Sequence, residues 1–98
     1  MNPEAQRIAI AEACGIVTKD QWGPLYRTQQ GMVRDCPDYL NDLNAMHQAE
    51  EILNEKQEHI MNDTLWDLML GRKYLWHATA AQRAEAFLRT LGKWEESQ

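Results

Sequence analysis

Between Pro37 and Gly71 the chain contains neither glycine nor proline. A stretch of that length without a breaker is committed to helix, and its apolar residues say how it is divided. Asn41 or Asp42 can cap a helix that begins near Leu43. Leu43, Met46, Ala49 and Leu53 recur at helical spacing, with Ala45 and Ile52 alongside. A second stripe runs through Met61, Leu65, Leu68 and Met69. Asn54 and Gln57 stand three apart, the spacing of a capping box, so the stretch is expected to split near Asn54. A single uninterrupted helix is the alternative. At 1.5 Å per residue it would span about 40 Å, long for so small a domain.

The flanking segments have different chemistry. Asn2 can cap a helix over residues 3–14, Pro3 suits its first position, and Gly15 suits a left-handed stop. Ile16, Val17 and Thr18 are β-branched, and Leu25-Tyr26-Arg27-Thr28 alternates apolar and polar, so a β-hairpin is expected there. Gly31 and Cys36-Pro37-Asp38 read as loop. Tyr74-Leu75-Trp76-His77-Ala78 reads as a third strand. Thr79 and Gln82 form a second capping box, and Ala84, Phe87, Leu88 and Leu91 follow as a buried helical face ended by Gly92. The expected order is α-β-β-α-α-β-α. It describes one α+β domain over residues 1–98, with a small three-stranded antiparallel sheet layered with about four helices.

Charge narrows the function classes. The 98 residues carry a net charge of −5, which opposes non-specific DNA binding, since such binding neutralises phosphates with Lys and Arg. The charge is uneven: residues 41–70 hold seven acids and one base, whereas residues 71–98 hold five bases and three acids. No charged-then-apolar segment opens the chain and no apolar run has membrane length, so a cytoplasmic protein without a membrane partner is expected. Cys14 and Cys36 are then expected to be free thiols.

Chemical motifs are sparse. His47 precedes Glu50 by three residues on one helix face, but metal sites on helices use such pairs twice, on facing helices. No CxxC or HExxH is present. Glu50, Glu51, Glu55 and Glu58 read as a solvated acidic face, not a hydrolytic pair. Neither a catalytic residue nor a metal or cofactor is expected. Of the four tryptophans, Trp66 and Trp76 suit buried positions, and Trp94 can fold back on the core. Trp22 falls in the hairpin turn. With Tyr26 and Arg27 it offers an aromatic surface beside a cation, which Arg72, Lys73 and His77 extend if the third strand lies next to the hairpin. Such a group suits an anionic, aromatic ligand or a protein partner.

The segments Asp38–Glu50 and Ala78–Gly92, with Ala11-Glu12-Ala13-Cys14-Gly15, resemble the phage ABA sandwich domain family of small phage and prophage proteins. The resemblance covers nearly the whole chain, with residues 16–36 and 54–76 matching poorly. It implies a layered helix-and-sheet domain and carries over no catalytic residue. It implies no established reaction. Taken with the small size, the surplus of tryptophan and the missing catalytic motifs, it leads to the expectation of a phage-encoded binding protein in the host cytoplasm that counters an anti-phage defence component by stoichiometric binding. The partner would be a host protein, or a nucleotide-like signal held at a pocket that a homo-oligomer can complete. The competing classes are a small metal-dependent hydrolase built on His47, Glu50 and a cysteine, and a structural accessory protein of the phage.

Overall fold

The computed structural model describes residues 1–28, 31–69 and 78–95. It is an α+β domain in the order α1 (Pro3–Ala13), β1 (Val17–Asp20), β2 (Gly23–Thr28), β3 (Gly31–Val33), α2 (Leu43–Glu50), α3 (Glu55–Leu68) and α4 (Ala80–Thr90). The three strands form one antiparallel sheet in the order β1-β2-β3.

Each helix begins where its sequence caps it. Asn2 Oδ1 accepts from the Ala5 amide at 2.7 Å, and Asp42 Oδ1 accepts from Asn44 and Ala45. The Asn54–Gln57 and Thr79–Gln82 boxes are both closed reciprocally, so the break near Asn54 is real and two helices replace one. Two helix ends use left-handed glycines, Gly15 at φ +69 and Gly92 at φ +70. Behind each, paired amides return to the last turn: Gly15 to Glu12 and Ile16 to Ala11, then Gly92 to Arg89 and Lys93 to Leu88. A side chain with a Cβ would strain this arrangement.

The core is organised around α4, which packs against α1, α2 and α3. Ala84, Ala86, Phe87 and Leu88 are fully buried, and the small alanines let neighbouring helices approach closely. Ile10 from α1, Met46 from α2 and Met61 and Leu65 from α3 complete the same cluster. Burying a side chain the size of Phe87 contributes roughly 1.5–3 kcal/mol. The sheet joins through one row: Val17, Tyr26 and Val33 are cross-strand partners, with Tyr26 buried and both valines packed against the core.

Several expectations need correction. Among the described residues the third strand is Gly31–Val33, a segment expected as loop. Residues 74–77 lie outside the described residues, and Ala78 is buried without strand structure. Three residues starting at glycine are too few to show a period of two, which is why this strand reads as loop. The hairpin is also tighter than expected, because Asp20 pairs with Gly23 and leaves only Gln21 and Trp22 in the turn. Trp66 is 45% exposed rather than buried, since α3 presents Met61 and Leu65 inward and turns Trp66 outward. Leu43 and Ile52 are exposed and Leu91 half-buried. Trp94 does fold back, packing against the core with the Arg89 guanidinium 5.1 Å from its ring centre.

Pro24 sits in the central strand, where a missing N–H would ordinarily break a ladder. β3 pairs only with Tyr26, Arg27 and Thr28, so Pro24 lies beyond its end. Arg34 supplies the partner there. Its Nη1 donates to the carbonyls of Gly23 and Pro24 at 3.2 and 3.4 Å, and its two terminal nitrogens grip Asp20.

Candidate functional site: two clefts flanking the central strand

Strand geometry separates the residues that the sequence groups together. Successive side chains on a strand point to opposite faces, so Tyr26 and Arg27 diverge. Tyr26 turns inward and is 4% exposed, whereas Arg27 is exposed on the other face. Trp22 is 75% exposed in the turn. Its neighbour Gly23 and Arg27 are four residues apart along β2, about 13 Å of strand. Trp22, Tyr26 and Arg27 therefore form no common surface. Arg72, Lys73 and His77 lie outside the described residues.

The described arginines fall into two sets. Arg34 pairs with Asp20, Arg83 with Glu50 and Arg89 with Glu85. Arg7 and Arg27 have no hydrogen-bonding or ion-pairing side-chain partner among the described residues. Each of these two lines its own cleft, and the clefts are bordered by consecutive residues of β2: Tyr26 at one, Arg27 at the other.

The Arg27 cleft encloses about 400 Å³, within the range of small-molecule sites. Ile16 and Thr28 border it beside Arg27, Gln48 projects from α2, and Cys14 and Tyr39 close the floor. No carboxylate lines it. Three further clefts, by contrast, each carry acids: Glu55 and Asp63 in one, Glu50 and Glu58 in a second, Glu4 and Asp35 in the third. Burial pushes the Cys14 thiol above its ordinary value, and its Sγ lies 3.9 Å from the Ala49 carbonyl. Burial likewise pushes the Tyr39 phenol well above the usual tyrosine range, with Cys14 and Cys36 adding to the effect. Both groups are thus neutral at pH 7, and Arg27 carries the only formal charge lining this cleft.

The Arg7 cleft encloses about 430 Å³ between the start of α1 and the β2–β3 side of the sheet. Tyr26 and Cys36 border it together. Burial raises the Cys36 thiol, and the nearby Arg7 guanidinium opposes that rise.

The hydrolase constellation is not assembled. Glu50 is half-buried and held by Arg83 rather than facing solvent with its acidic neighbours, and His47 is exposed. Among the described residues no three His, Cys, Asp or Glu side chains converge as metal ligands. Both cysteines are free. No described helix is long and apolar enough to cross a membrane.

Arg27 was legible in the sequence as a candidate. Arg7, Cys36, Tyr39 and Gln48 were not, because they meet only through tertiary packing and share no spacing. Compared with family models, curated proteins and solved structures, the chain matches none.

Proposed function

We propose that the protein is a non-catalytic binding module that takes a nucleotide-like anion in the cleft beside Arg27. The observation that carries this reading is an arginine with no partner among the described residues, bordering a concave cleft of about 400 Å³ whose described lining holds no carboxylate, on a protein of net charge −5. The Arg27 guanidinium supplies directional donors for a phosphate. The apolar lining from Ile16, Pro37, Ala45 and Ala49 accommodates a base or sugar, and Gln48 and Thr28 supply polar contacts. With the resemblance to the phage ABA sandwich family, the proposed role is stoichiometric sequestration of a defence signal in the host cytoplasm. Native mass spectrometry of freshly purified protein, beside metal analysis, tests this. A copurified nucleotide that is lost in Arg27→Ala supports it. Stoichiometric zinc, with His47→Ala abolishing both metal and a hydrolytic activity, overturns it in favour of the hydrolase.

A second reading rests on Trp22, which at 75% exposure in a tight turn is the most exposed large apolar side chain described. A rigid aromatic at a hairpin tip suits an interface anchor, and the protein would then block a host protein directly. Its turn is held by Asp20, whose Oδ1 accepts from the Trp22 amide at 2.9 Å, so the indole is presented from an ordered backbone. A partner captured by the parent protein but not by Trp22→Ala favours this reading.

A further inference from the structure

We infer that the cleft between α1 and the sheet, on the Tyr26 side of β2, is a second binding site, one that takes a small monocarboxylate on Arg7. Arg7 Nε is buried and has no hydrogen-bond partner among the described residues. A donor in that condition carries an uncompensated desolvation cost, greater when its group is charged. The remainder of this half-buried side chain lines the cleft. A carboxylate on the guanidinium would supply the missing counter-charge in the bidentate geometry that arginine favours. Three other described arginines already have a carboxylate: Asp20 serves Arg34, Glu50 serves Arg83, and Glu85 serves Arg89.

The lining fixes the ligand class. Glu4 and Asp35 border the same cleft, and neither pairs with Arg7. Arg34 borders the cleft too but is committed to Asp20, so the charge of Glu4 and Asp35 repels a dianion such as phosphate and leaves room for a single negative charge at the Arg7 guanidinium. Ile8 and Pro24 provide apolar walls for a short aliphatic tail. Tyr26 also borders the cleft, and its hydroxyl is a second donor for the ligand. This site is separate from the Arg27 cleft, and its success or failure leaves the nucleotide reading untouched.

Cys36 lines this cleft and Cys14 the other, which gives a direct readout. In a Cys14→Ser background, the rate of Cys36 alkylation by iodoacetamide is measured against millimolar propionate at constant ionic strength, with inorganic phosphate as comparison. Propionate should slow the reaction at least threefold, phosphate should not, and Arg7→Gln should remove the protection. Arg7→Lys, which keeps the charge and loses the planar fork, should retain only part of it and serves if Arg7→Gln fails to fold. No protection by propionate, protection unchanged in both Arg7 variants, or equal protection by phosphate overturns the assignment.

Discussion

Arg83 on α4 grips both carboxylate oxygens of Glu50 on α2, from Nε at 2.8 Å and from Nη2 alongside, across 33 positions of sequence. Both side chains are mostly withdrawn from water, at 17% and 15% exposure. The pair therefore staples the helix preceding the Asn54 break to the helix at the centre of the core. Removing one partner should expose the other as an unpaired, partly buried charge. A double-mutant cycle with Glu50→Ala and Arg83→Ala should give a coupling of about 1–2 kcal/mol. A coupling below about 0.5 kcal/mol would show the contact to be as weak as an exposed surface pair.

Two aromatic truncations should separate core from surface. Phe87→Ala should cost roughly 3–5 kcal/mol, because Phe87 is fully buried on a helix that packs against three others. Trp66→Ala, on the outer face of α3, should stay within about 1 kcal/mol. Chemical denaturation of both variants checks the pair, and comparable losses would mean that α3 is rotated about its axis.

Alkaline pH should destabilise the fold before it harms the unfolded chain. Burial raises Cys14, Cys36, Tyr26 and Tyr39 above their ordinary values of 9.0 for thiols and 10.0 for phenols. The folded state then holds protons that the unfolded chain has released, so stability falls as pH rises. It is fully present below pH 9 and is lost progressively above it. Urea midpoints from pH 7 to 10.5 should fall beyond pH 9, and Tyr39→Phe should flatten that fall. A midpoint that rises with pH would contradict the burial of these groups.

Much of this architecture was written locally. The caps at Asn2, Asp42, Asn54 and Thr79 are side chains bonding amides two or three residues away, so they show in a short window of sequence. The left-handed stops at Gly15 and Gly92 show for the same reason. What the sequence could not show is partnership at long range. Glu50 stands beside Glu51 in a visibly acidic run, and only packing reveals that Arg83 claims it. The alternation in Leu25-Tyr26-Arg27-Thr28 did hold the signal that Tyr26 and Arg27 face apart, and grouping them as one surface overlooked it. Arg7 carries no local mark that it lacks a partner among the described residues.

Trp22→Ala and Arg27→Ala should each leave the melting temperature within about 3 °C, since neither side chain joins the core. Thermal scans of the two variants decide whether any loss of binding reflects the site or the fold. A shift beyond about 8 °C for Trp22→Ala would mean that the indole packs the hairpin instead of standing free.

Arg27 and the cleft it borders carry the proposed binding. The most direct test is amide chemical-shift mapping of the protein titrated with 5′-mononucleotides and 3′,5′-cyclic mononucleotides of adenine and guanine, repeated on Arg27→Ala. Saturable shifts centred on Ile16, Arg27, Thr28 and Gln48, and abolished in the variant, are the predicted result. Shifts centred on the Trp22 turn, shifts unchanged in Arg27→Ala, or no saturable shifts with any of these nucleotides would contradict it.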